Sequence, residues 1–181
     1  MFYLNSPAAQ SGRRYFYHKS FVLLATLLLL PAAFISASAQ AFTTQFATGD
    51  RPSLTIKSRN GKVSVIAAEE MQKRLTIEAT STGAAVNPTD VLAVAKGNGV
   101  NIEVADRAEK DRIDLVVRVP MRSRLKVETE AGAVDVVGNI ESAEVTSNTG
   151  TIHADVPLEA LKFSFMWRAS KPRYLSDVEL P

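Results

Sequence analysis

Leu125-Lys-Val-Glu-Thr-Glu-Ala-Gly132-Ala-Val-Asp-Val136 and Ala143-Glu-Val-Thr-Ser-Asn-Thr-Gly150-Thr-Ile-His-Ala154 share one pattern, and Leu54-Thr-Ile-Lys-Ser-Arg-Asn-Gly61-Lys-Val-Ser-Val65 repeats it a third time. Each reads Leu or small, x, Ile/Val, x, Ser/Thr, two variable residues, Gly, x, Val/Ile, x, Val or small. The apolar residues alternate with polar ones at period two, the signature of a half-buried strand. The repeat-turn glycines Gly61, Gly132 and Gly150 punctuate the pattern where a tight turn needs positive φ. Each unit is therefore a short strand, a turn and another short strand. Gly132 and Gly150 lie 18 residues apart. That period suits one coil of a β-solenoid, in which each rung buries its apolar residues on the next. Plain antiparallel hairpins in a sandwich account for the same alternation.

The rest of the body has the same period. Leu75-Thr-Ile77, Val100-Asn-Ile102-Glu-Val104 and Ile113-Asp-Leu115-Val-Val117-Arg-Val119 all alternate, and Pro120 stops the last of them. The charged segment Ala105 to Arg112 is expected to be a hairpin loop between two such strands. Thr89 to Ala95 fits a short helix or a strand equally well. The expected class is all-β: a right-handed β-solenoid or β-helix-like stack of short strands, preceded by a cleavable signal helix.

Val117-Arg-Val-Pro120 with the unit from Leu125 to Gly138 resembles a bacterial adhesin family, otherwise a domain of unknown function with Gly-punctuated β-strand repeats. The resemblance spans about residues 50–156 and is clearest from Val117 to Val156. It implies an exported, all-β, right-handed β-helix-like domain. Adhesion comes only from the family's label, and no catalytic residues come with it. The chain departs from the pattern in places: Leu75 to Gly83 has one residue too many, and only two clean coils adjoin.

Residues 1–39 read as a secretory signal peptide. Arg13, Arg14, His18 and Lys19 precede the apolar run Phe21 to Leu30, Pro31 breaks that helix, and Ala37-Ser-Ala39 supplies small residues for a peptidase. Cleavage is expected between Ala39 and Gln40. The apolar run from Phe21 to Ala37 falls short of the roughly 20 residues of a spanning helix, so no membrane span is expected after cleavage. Arg13-Arg-Tyr-Phe16 resembles a twin-arginine signal, but Gly12 and the Leu-rich run favour the general secretory route. The expected location is the periplasm or the cell surface.

Of the 181 residues, 46% are hydrophobic and 22% charged, which excludes collagen-like and mainly disordered classes. Beyond residue 39 the chain has 18 basic and 19 acidic residues. That balance gives no electrostatic case for nucleic acid. With no cysteine there is no disulfide, thiol nucleophile or thiolate metal site.

The expected organisation is a signal peptide at 1–39, a linker at 40–52, the β-repeat domain at 53–157 and an aromatic, basic tail at 158–181. In that tail Phe163, Phe165 and Trp167 alternate. They either cap the open edge of the last rung by docking there or begin a further domain. Members of the resembled family are often joined to other domains, which implies that this chain is a piece of a longer one.

Candidate chemistry is sparse. His153 is the only histidine beyond the signal. The repeat alignment sets Ser64, Asp135 and His153 at one equivalent position, with Asp135 and His153 neighbours about 4.8 Å apart in a stack. Ser64 is expected many rungs away, and no nucleophile elbow accompanies it. Asp106, Glu109, Asp111 and Asp114 form an acidic cluster, but Arg107, Lys110 and Arg112 interleave and no calcium-loop pattern appears. No catalytic residue, cofactor or metal is expected.

Lys126 and Glu144 match in the repeat and should pair across rungs. Arg122, Arg124 and Lys126 make a basic stripe if they share a strand. Thr129, Ser147, Asn148 and Thr149 line the turn edge, where they suit glycan hydrogen bonds or plain solubility. The expected function is a non-enzymatic interaction module, with an envelope protein or polysaccharide as partner. The alternatives are a scaffold segment of a longer envelope protein or, further off, a hydrolase. Open sheet edges also allow edge-to-edge self-association.

Overall fold

The computed structural model describes residues 41–157 and 162–169. The expected signal helix and its cleavage pair Ala39 and Gln40 lie outside the described residues. The order is β1 (Phe42–Ala47), β2 (Ser53–Ser58), β3 (Val63–Ala67), β4 (Arg74–Ser81), β5 (Val91–Lys96), β6 (Gly99–Val104), β7 (Ile113–Val119), β8 (Arg124–Ala131), β9 (Val134–Val137), β10 (Ser142–Thr149), β11 (Ile152–Asp155) and β12 (Phe163–Trp167), with short 3-10 turns at Glu69–Met71 and Glu109–Asp111. Among the described residues no helix is long and apolar enough to cross a membrane. The fold is all-β.

Two open six-stranded sheets share the strands. The first runs β1-β4-β7-β3-β9-β11 and the second β12-β10-β8-β2-β6-β5. The three repeat units align in register, as their common pattern requires. Leu54 pairs with Leu125 and Leu125 with Ala143 in the second sheet. Val63 pairs with Val134 and Val134 with Ile152 in the first. Inward rows therefore run straight across strands, as in Ile102–Ile56–Val127–Val145–Phe165. The inward residues of both sheets form one apolar cluster, with Ile56, Val63, Val65, Ile77 and Val117 fully buried.

A uniform parallel stack is not the whole architecture. The pairs β1–β4, β4–β7 and β5–β6 are antiparallel, and the others are parallel. The unit with the extra residue is where the repeat fails. After β3 the chain turns through Glu69–Met71 with Lys73 at φ 53°, and β4 comes back antiparallel to β7 instead of stacking on β3.

Three further expectations change. The stretch read as a linker, 40–52, holds β1, which completes the first sheet beside β4. Ala105 to Arg112 is not a hairpin loop, because β6 and β7 belong to different sheets. Thr89 to Ala95 resolves as strand β5, joined to β6 by the Gly97-Asn98 turn.

The turn glycines stack on each other. Gly61, Gly132 and Gly150 have φ of 101°, 130° and 125°, where side chains are strained. A Cβ on Gly132 would sit 2.0 Å from the Gly61 carbonyl oxygen, and one on Gly150 would sit 2.0 Å from that of Gly132. The column thus needs glycine twice over, for φ and for backbone-to-backbone approach.

Beside it runs a buried column of hydroxyls. Ser58 is in register with Thr129, and Thr129 with Ser147. Each donates to the carbonyl two residues on: Ser58 Oγ to Asn60 O at 3.0 Å, Thr129 Oγ1 to Ala131 O at 3.3 Å and Ser147 Oγ to Thr149 O at 2.7 Å. These bonds satisfy hydroxyl and turn carbonyl together, which explains the Ser/Thr of the repeat.

Candidate functional site

Alternation sends Lys57, Lys126, Glu128 and Glu144 to the outer face of the second sheet, and register brings them together. Lys126 Nζ lies 3.2 Å from Glu144 Oε1 and 3.4 Å from Glu128 Oε1, while Lys57 Nζ is 3.9 Å from Glu128 Oε2. The expected pairing of Lys126 with Glu144 is thus present. Hydrogen bonds to Glu144 and then Glu128 raise the Lys126 pKa above its ordinary value. Nearer the turns, Arg59 Nε lies 2.9 Å from Glu130 Oε2, and its guanidinium also pairs with Asp106. A shallow recess of about 450 Å³ opens there, lined by Arg59, Asn60, Asp106, Arg107 and Glu130 among others. The charges of Arg59, Asp106, Arg107 and Glu130 are already matched by neighbours, and the recess is wide open to solvent. Exposed pairs of this kind stabilise little, typically under about 1 kcal/mol each, but they fix an alternating charge pattern on the sheet's outer face.

The first sheet's outer face carries the residues that suggested hydrolysis. Ser64 is not many rungs from the others: β3 lies directly beside β9, so Ser64 pairs with Asp135, and Asp135 with His153. Sequence order hid this, because β9 inserts between β3 and β11. The arrangement still lacks triad logic. Histidine must stand between hydroxyl and carboxylate to take the proton, yet here Asp135 stands in the middle. Ser64 Oγ lies 3.5 Å from Asp135 Oδ2, and Lys62 Nζ lies 2.5 Å from the same oxygen. The hydrogen bond to Asp135 raises the Lys62 pKa.

The acidic cluster is dispersed into other contacts. Asp106 pairs with Arg59, Asp111 Oδ1 accepts from Ala84 N at 3.1 Å, and Asp114 Oδ1 accepts from Lys62 N at 2.8 Å. Among the described residues no group of three or more His, Asp or Glu is arranged to hold a metal. The basic stripe does not form either: Arg122 adopts φ 58° in the turn before β8, so it does not share a strand with Arg124 and Lys126. Thr129 and Ser147 are buried in the hydroxyl column and are not presented to a glycan, whereas Thr149 is exposed. In the tail, β12 pairs parallel with β10, aligning Phe163 with Ala143, Phe165 with Val145 and Trp167 with Ser147. Phe165 packs against the core and meets Trp167 edge-on at 6.5 Å.

Sequence reading missed Arg107. It donates to Ala84 O at 3.0 Å, Ala85 O at 2.9 Å and Asp90 Oδ2 at 2.5 Å, and the Arg107 and Asp90 side chains are only 15% and 16% exposed. One guanidinium thus ties the loop before β5 to the loop after β6. Arg107→Ala is expected to cost about 1–3 kcal/mol, read by urea denaturation, because two carbonyls and a carboxylate lose their donor. Arg107→Lys should recover only part of the loss, since an ammonium lacks the planar fork.

The chain matches no family profile and no curated protein. Among solved structures it is similar to a "putative cell adhesion protein" from Clostridium sporogenes ATCC 15579, at 7% identity and TM-score 0.37, covering 71% of this chain and all of that one. It is also similar to a "putative adhesin" from Bacteroides fragilis NCTC 9343, at 8% identity and TM-score 0.29, covering 71% of this chain and 96% of the other. Likeness this slight assigns neither family nor function.

Proposed function

We propose that this chain is an exported, non-enzymatic interaction module of the bacterial envelope, adhesin-like in role, whose parallel strands form a short right-handed β-solenoid. The observation that carries the reading is the outer face of the second sheet. There Lys57, Lys126, Glu128 and Glu144 stand in register on an open sheet face, each side chain between 41% and 60% exposed. Such a face suits many weak polar contacts with an extended polymer or an envelope protein, and not the enclosed pocket that small-molecule chemistry uses. Support for export comes from residues 1–39.

The test is retention of the purified full chain on envelope fragments of its own host. Retention is expected to fall with rising salt. In a Lys57→Ala/Lys126→Ala/Glu128→Ala variant it should drop about tenfold while the melting temperature stays within a few degrees, because exposed pairs contribute little to folding. Absence of retention, or retention indifferent to these three residues, would overturn the reading.

A further inference from the structure

Among the described residues β5 has a single neighbour, β6, and it closes one side of the second sheet. Its outer face carries Leu92 and Val94, 60% and 50% exposed, so two branched apolar side chains face solvent on one strand. The other sheet-end strands differ. On their outer faces β1 presents Thr43 and Gln45, and β11 presents His153 and Asp155. The outer face of β12 carries Ser164 and a single large apolar side chain, Met166, which is 51% exposed. A bare strand edge with an aliphatic face is a template for another strand.

We infer that β5 pairs antiparallel with β5 of a second copy about a two-fold axis at Ala93, joining the two second sheets into one continuous sheet. The backbone sets the parity. Ala105 N donates to Asp90 O at 2.7 Å, so Asp90 faces β6 with its hydrogen-bonding groups. Alternation along an antiparallel ladder then turns those of Val91, Ala93 and Ala95 to the free edge. A two-fold at Ala93 sets Val91 opposite Ala95 of the partner copy, and Ala93 opposite its own equivalent. These are hydrogen-bonded pairs, with two bonds in each.

Side chains select the same register. It sets Leu92 against Val94 of the second copy in the closer, non-hydrogen-bonded pairs, with Cα atoms about 4.5 Å apart. Four exposed aliphatic residues then cover one another. At each end Lys96 faces Asp90, whose contacts with Asn87 N and Arg107 both fall on Oδ2. Shifting the axis to Leu92 or Val94 sets an aliphatic residue against Asp90 or Lys96 instead. The two-fold makes the contact isologous, so it closes as a dimer and does not grow into a fibre. The contact is small, and a weak dimer in the micromolar range is expected. It is independent of the envelope-binding face, because it needs no ligand.

The experiment is sedimentation velocity on the full chain, produced with residues 1–39 in place in an exporting host. A concentration-dependent doubling of mass is expected. Val94→Lys should raise the dimer dissociation constant about a hundredfold, since it drives a charge into the aliphatic cluster. Ala93→Pro removes the edge-facing donor at the axis and should have the same effect while sparing the β5–β6 ladder. The natural chain has no cysteine, so cross-linking reports the register. Leu92→Cys mixed with Val94→Cys should form a disulfide between the two variants, whereas each alone should form far less. A wild-type chain monomeric at all concentrations, a dimer indifferent to both β5 variants, or cross-linking dominated by Leu92→Cys alone would overturn the inference.

Discussion

Gly132→Ala is expected to lower the unfolding free energy by about 3–5 kcal/mol, and the melting temperature by more than about 10 °C. Two costs combine. An alanine at φ 130° leaves the allowed regions, and its Cβ meets the Gly61 carbonyl at 2.0 Å. The obstacle is backbone, so no rotamer change relieves it, and the two repeat units must separate at the turn. Gly97→Ala provides the comparison. Gly97 also has positive φ, 59°, but a Cβ there meets nothing within 4 Å. It should cost only the left-handed penalty of about 1–2 kcal/mol. Thermal melts of both variants separate strain from collision. Equal losses would show that the stacked approach at Gly132 contributes nothing.

Ile56→Ala is the second large effect, at about 3–5 kcal/mol by denaturant titration. Ile56 is fully buried on β2, between Ile102 of β6 and Val127 of β8. The cavity would open in the middle of a row continuous across five strands, where neighbours held in ladders on both sides cannot collapse into it. Its neighbour Thr55 points outward from the same strand, and Thr55→Ala should change stability by less than about 0.5 kcal/mol. If the two changes cost the same, the inward assignment of the even positions of β2 is wrong.

Both predictions rest on features legible in the sequence alone. Period-two alternation identified the inward residues, and the three glycines marked the turns. The match of Lys126 with Glu144 also followed from alignment alone, because register in a repeat is the repeat itself. Alternation says which face a residue occupies but not which strand lies beside it. Ser64 was therefore set far from Asp135, although β3 and β9 are adjacent. The reversal of β4 was equally hidden, since an antiparallel strand carries the same pattern as a parallel one. Thr129 and Ser147 looked like turn-edge residues, although the Ser/Thr of the repeat shares the inward parity of Leu125 and Val127, and of Ala143 and Val145, where a hydroxyl is buried only if its own turn carbonyl accepts from it. Arg107 was obscured by the opposite charges around it, and β5 by a face whose aliphatic residues point to solvent.

The parallel registers between β8 and β10, and between β9 and β11, have a consequence for descent. The in-register pairs between these units join equivalent positions: glycine to glycine, hydroxyl to hydroxyl, aliphatic to aliphatic. A duplicated 18-residue segment inserted between two units would meet on each side the surface it was copied from, and the strands beyond would keep their partners. Such a gene can lengthen or shorten by whole units without inventing a new interface, and the charged rows facing outward lengthen with it. The antiparallel strands β1, β4 and β5 have no such freedom. Variation in length among descendants of this chain should accumulate after Pro120 and spare the strands before it.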